Sequence, residues 1–111
     1  CTAFNLSFGS NVFINEPTKE IIFLQGGNSN ATCIYDPAVA SFTTGPTTSG
    51  PLSSDSATAP INFGAHTGQT LVIHGGGTTG TSYWDPVGRT FSPGPALPSN
   101  ANLGAHALLI P

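Results

Sequence analysis

Residues 83–95 read YWDPVGRTFSPGP, and 49 positions earlier residues 34–46 read IYDPAVASFTTGP. Each line carries an aromatic residue, Asp-Pro, a Phe six positions after the Asp, and Gly-Pro. The same offset aligns Ile22-Phe23-Leu24 with Leu71-Val72-Ile73, and Gly26-Gly27 with Gly75-Gly76. No gap is needed across this span, so the chain contains an internal repeat, a signal that outranks local propensity in deciding a fold.

A shorter motif occurs three times, as Phe8-Gly9-Ser10-Asn11, Phe63-Gly64-Ala65-His66 and Leu103-Gly104-Ala105-His106, each at or before an apolar stretch. The spacing predicts one repeat over about 8–62, a second over about 63–102, and the first strand of a third over 103–111. Within a repeat, IIFLQGG and LVIHGGG are short β-branched runs closed by glycine pairs, where a buried strand ends in a turn with positive φ. TCIYDP and TSYWDP end at Pro37 and Pro86, where a ladder donor is lost. The runs around Phe42 and Phe91 return antiparallel after that turn. No window shows the 3.6-residue period with caps that a helix needs, so the reading is all-β, with four short strands per repeat.

Repeats of roughly fifty residues with four strands, a glycine pair and spaced aromatics resemble the blades of kelch-type β-propellers. The residues that carry the resemblance are Gly26-Gly27 and Gly75-Gly76, Tyr35 and Trp84, Asp36-Pro37 and Asp85-Pro86, and Phe42 and Phe91. Phe stands twice where the family usually has Trp, and Trp84 where it usually has Tyr; both swaps keep a large ring for packing between blades. The resemblance implies antiparallel four-stranded blades, about two of them plus the first strand of a third. Propellers use four to eight. The shortfall predicts a fragment of a longer propeller, or a protomer that completes itself with copies of the chain through its strand edges, as a ring or a filament.

Composition narrows the function classes. Only Glu16, Lys19, Glu20, Asp36, Asp55, Asp85 and Arg89 are charged, 6% of 111 residues, with a net charge of −3. Two basic residues cannot neutralise a run of phosphates, which excludes nucleic acid as a partner. No stretch approaches the eighteen or so apolar residues of a membrane span. A chain that opens on Cys1 and lacks Met reads as a processed mature chain or an excised piece, and a terminal Cys is also how a lipidated surface protein begins. Cys1 and Cys33 suit one disulfide in an oxidising compartment, within the chain or between protomers. Asn5-Leu6-Ser7 and Asn30-Ala31-Thr32 are N-glycosylation sequons. Residues 41–60, rich in Ser and Thr with three Pro, read as an extended surface loop suited to O-linked sugars. Together these features predict an extracellular or cell-surface module.

Catalytic and metal-binding readings find little support. Asp36 and Asp85 occupy one repeat position and follow an aromatic, so they read as Asx-turn formers and not as an acid and base pair. His66 and His106 are equivalent, Asn11 fills the same slot in the first copy, and His74 has no carboxylate at ligand spacing, which favours hydrogen-bonding histidines over a metal. The segment Gly75-Gly76-Gly77-Thr78-Thr79-Gly80 lacks the Lys and the helix of a phosphate loop. Resemblance to secreted propellers brings in the copper radical oxidases, whose copper is held by two Tyr and two His with one Tyr cross-linked to Cys. Only Tyr35 and Tyr83 are available here, so that ligand set is not found. The expectation is a structural or adhesive module without catalytic residues, metal or cofactor, its partners being copies of itself, missing blades, or carbohydrate.

Overall fold

Short β-branched runs separated by glycine pairs and Asp-Pro turns give strands of four or five residues. The computed structural model describes residue 1 and residues 5–101, and among these residues there is no helix. The strands are β1 (Asn11–Asn15), β2 (Glu20–Leu24), β3 (Thr32–Asp36), β4 (Ser41–Thr44), β5 (Ala57–Pro60), β6 (Thr70–Ile73), β7 (Thr81–Asp85) and β8 (Thr90–Pro93). They form two four-stranded antiparallel sheets, β1-β2-β3-β4 and β5-β6-β7-β8, each a simple meander.

Register explains why the aromatic line occurs twice. Tyr35 of β3 stands directly opposite Phe42 of β4, and Trp84 of β7 opposite Phe91 of β8. Both ring pairs have centroids 4.9 Å apart, with interplanar angles of 54° and 56°. Between the partners, Asp36 and Asp85 each accept the N–H two residues on, from Ala38 and Val87, at 2.9 Å. This is an Asx turn, which lets a short carboxylate do the work of a backbone carbonyl. The turns close on Ala40 at φ 53° and Arg89 at φ 55°. One conserved geometry is thus written twice, six positions from Asp to Phe.

The glycine pairs mark a close backbone crossing. Gly26 has φ 73° and a Cβ there would lie 2.5 Å from the Phe8 carbonyl oxygen and the Ser10 nitrogen. Gly75 has φ 75° and faces Ser54 to Ser56 in the same way. Each glycine therefore abuts the segment that leads into the first strand of its own sheet, a position open only to a residue without a side chain.

Those lead-in segments also show where the second repeat begins. Leu24 pairs with Asn11 in the first sheet, and its counterpart Ile73 pairs with Ala57 in the second, so the first strands are related by an offset of 46. The β5–β6 loop, residues 61–69, is five residues longer than the β1–β2 loop, residues 16–19. Phe63–His66 lies within that loop, after the strand that opens the second sheet, so β5 comes from residues the sequence reading assigned to the first unit. Phe8–Asn11, by contrast, does lead into β1. The third copy of the motif, at 103–106, and the strand expected over 103–111 lie outside the described residues.

Residues 45–56 connect the two sheets and are more than a surface loop. Leu52 is 1% exposed and Thr48 is buried. Leu52 bridges Ser29, just as Ala101 bridges Thr78 at the end of the second repeat. Ser/Thr content hid an apolar anchor whose burial contributes about 1.5–3 kcal/mol.

The core lies between the sheets. Phe13, Ile22, Leu24 and Ile34 of the first sheet meet Val72, Trp84 and Phe91 of the second, with Leu52 beside Leu24 and Val72. Phe13 contacts Trp84 and Phe91 edge-on, at 5.8 and 6.4 Å. Polar groups at the margin pair across the contact. The Trp84 Nε1–H donates to buried Asn15 Oδ1 at 3.2 Å, Arg89 forks onto Glu20 at 3.1 and 2.7 Å, and Asn11 Nδ2 donates to the Ser56 carbonyl. By the 49-residue offset, Val72, Trp84 and Phe91 correspond to Phe23, Tyr35 and Phe42. Those three residues lie on the other face of the first sheet, so the two sheets meet through unlike faces.

Candidate functional site

Strand alternation sends successive side chains to opposite faces, and in the first sheet both faces are apolar. One is the core face. The other carries Val12 and Ile14 from β1, Ile21 and Phe23 from β2, Tyr35 from β3 and Phe42 from β4. Val12, Ile14 and Phe42 are 49%, 51% and 55% exposed. No charged residue stands on this face, which continues across all four strands. Phe42 packs on Tyr35 and also on Phe23, with centroids 5.9 Å apart. A contiguous apolar surface of this kind on a water-facing sheet marks an interaction site.

One corner of the face is covered. Cys33 points to it and is bonded to Cys1, with Cα atoms 6.1 Å apart, which closes a segment of 32 residues. Cys1 and Leu6 line a cavity of about 330 Å³ against Phe23, Cys33 and Phe42. The disulfide thus places the start of the described chain at the edge of the exposed face. An intrachain disulfide is compatible with an oxidising compartment.

The outer face of the second sheet differs. It bears Ala59, Leu71, Ile73 and Tyr83, all half-buried. His66, from the longer β5–β6 loop, stacks flat on Tyr83 at 3.9 Å and 6° and is held by Gln69 Oε1 on its Nδ1 at 2.8 Å. The same loop borders a cleft of about 690 Å³ beside β1 and β5, lined by Ile14, Asn15, Ile61, Gln69, Thr70 and Trp84 among others.

His74 is a buried titratable side chain. Burial holds its pKa below the ordinary 6.5. Its Nε2 lies 2.6 Å from Ser82 Oγ, which in turn meets Ser49 Oγ and accepts the Ser49 N–H at 3.2 Å. This chain of contacts resembles a nucleophile and base, but the other side of the ring faces Gly50 and Gly80, where added Cβ atoms would lie 3.0 and 2.6 Å from Nδ1. A carboxylate to orient the imidazole has no room there. The chemistry the arrangement supports is a clamp between the connecting segment and β7.

Of the residues singled out in the sequence, Gly26, Gly27, Gly75 and Gly76 form turns, Asp36-Pro37 and Asp85-Pro86 form hairpin bends, and the aromatics divide unequally. Trp84 and Phe91 line the core, while Tyr35 and Phe42 line the exposed face. Asn5 and Asn30 are both exposed. Tyr35 and Tyr83 belong to different sheets and Cys33 is occupied by Cys1. Among the described residues, no three His, Cys, Asp or Glu side chains come together as a metal site, and no helix is long and apolar enough to cross a membrane. Asn15, Glu20, Ser49 and Ser82 carry no sequence signal because their residue types do not recur at the repeat offset: their partners are across the sheet contact and not along the chain. No protein-family model matches this sequence, and a search of curated proteins finds no match.

Proposed function

We propose that this chain is an extracellular structural or adhesive β-repeat module, two kelch-like blades that self-assemble to complete a larger object. The observation that carries the proposal is the exposed apolar face built from Val12, Ile14, Phe42 and their neighbours on a repeat whose equivalent face is buried in the second sheet. A sheet with two apolar faces gains stability only by stacking. The strand edges were the expected contact; the apolar residues lie on the face, and the proposal takes the face as the assembling surface. The Cys1–Cys33 bond, the exposed sequons at Asn5 and Asn30 and the scarcity of charge support a secreted, glycosylated setting.

Size-exclusion chromatography with light scattering tests the reading. The expected result is a mass above 11.3 kDa that rises with concentration. A monomer at every concentration up to about millimolar overturns it. The free face also suits a second reading, a segment of a longer kelch-type propeller that binds carbohydrate or acts as a copper radical oxidase through residues on other blades. Further glycine pairs and aromatic-Asp-Pro lines in the flanking coding sequence would favour that reading.

A further inference from the structure

We infer that the exposed face of the first sheet receives the outer face of the second sheet of another copy, head to tail, reproducing between chains the contact already present within one. The inference rests on the proposed self-assembly and specifies its geometry. Within the chain, the face bearing Val72, Trp84 and Phe91 covers the face bearing Phe13, Ile22, Leu24 and Ile34. At the repeat offsets, the first set corresponds to Phe23, Tyr35 and Phe42, and the second to Ala59, Leu71, Ile73 and Tyr83. Among the described residues, these are the two faces left outside. Each is therefore the counterpart of a surface whose partner is known, and each copy offers one of either kind. A contact between unlike faces is heterologous and repeats from copy to copy.

The substitutions between counterparts keep it apolar. Phe13 becomes the smaller Ala59 while Val72 becomes the larger Phe23, and Ile34 becomes the larger Tyr83 while Trp84 becomes the smaller Tyr35. His66 lies over Tyr83, so at that corner the incoming face meets the imidazole. Cys1 and Leu6 form the rim at the Phe23 corner of the receiving face. What the contact between copies lacks is the polar margin. The counterparts of Arg89 and Glu20 are Ala40 and Gln69, so no ion pair forms there.

That missing pair supplies the test. Ala40 has φ 53°, the conformation Arg89 already adopts at φ 55°, so Arg is accommodated at position 40. A40R and Q69E are made in separate chains, each checked by circular dichroism, and their association is followed by analytical ultracentrifugation alongside the wild type and F42D. Phe42 is 55% exposed, and circular dichroism of F42D checks that the fold is kept. The expected result is that F42D weakens association at least tenfold, and that mixed A40R and Q69E associate about threefold more tightly than either variant alone at low salt, an advantage lost at 1 M salt. Wild-type association that F42D leaves unchanged overturns the face as the assembling surface and the head-to-tail contact with it, whereas association that F42D weakens but the mixture does not tighten overturns the head-to-tail contact alone. A wild type that never associates overturns both.

Discussion

Trp84 is the residue on which the two sheets most depend. It is 1% exposed, contacts Ile22 and Ile34 of the other sheet, and hands its one polar hydrogen to Asn15. Trp84→Ala removes a large side chain from a contact that cannot collapse around the space and is expected to cost about 3–5 kcal/mol, read as a shift in the urea midpoint. Asn15→Ala leaves the indole N–H buried without an acceptor, at a cost of about 1–3 kcal/mol. The pH dependence belongs to His74. Because burial lowers its pKa, the unfolded chain takes up a proton more readily than the folded one as pH falls below 6.5. Its contribution is complete above 6.5, declines as pH drops through the interval down to the lowered value, and then levels. Urea titrations at pH 7.5 and 5.5 are expected to show lower stability at the acidic value, and His74→Gln is expected to remove that part of the difference. Sequence alone puts Trp84 among the packing rings and His74 among the hydrogen-bonding histidines, but not the partners of either. Trp84 and Tyr35 hold one repeat position, and only the packing of one sheet on the other decides which of them is buried.

At the scale of strands and turns much more could be read. The apolar runs, glycine pairs and Asp-Pro lines placed β2, β3, β4, β6, β7 and β8 because local chemistry dictates each: positive φ at the glycines, an Asx turn at the aspartates, a cross-strand ring pair seven residues apart. Gly26→Ala is expected to cost upwards of about 1–3 kcal/mol, since it combines positive φ with a Cβ placed against the Phe8 and Ser10 backbone; thermal unfolding followed by circular dichroism measures it. The strand missed in phase was β5. ATAP is small, weakly apolar and ends in Pro, and Asp55 at φ 68° takes the place of Gly9 at φ 74°, so only Ser53 and Ser56 repeat the lead-in letters Ser7 and Ser10. The Gly-Ala-His motif pulled the boundary downstream for the same reason. Across the sheets, the Arg89–Glu20 pair is bidentate yet Arg89 remains 43% exposed, so Arg89→Ala is expected to cost less than about 1 kcal/mol. The loss should shrink as salt is raised, in parallel denaturation series at low and high ionic strength.

For the molecule as a whole, the repeat announced two four-stranded units and the structure supplies two, while their mode of contact lay outside what an offset can state. Letters that recur say which residues are equivalent; they do not say that equivalent residues face opposite ways in the finished structure. The disulfide acts at this scale as well. Replacing Cys1 and Cys33 by Ser opens a segment of 32 residues, and the entropy returned to the unfolded chain is expected to lower stability by about 3–4 kcal/mol, measurable as a lower melting temperature at unchanged pH. The unlike faces have a last consequence in simple counting. Sheets stacked in an open row make one contact fewer than their number, whereas sheets closed in a ring make as many contacts as there are sheets. A pair is the shortest row, with the poorest return per residue ordered, and every sheet added to it raises that return until closure removes the two ends altogether.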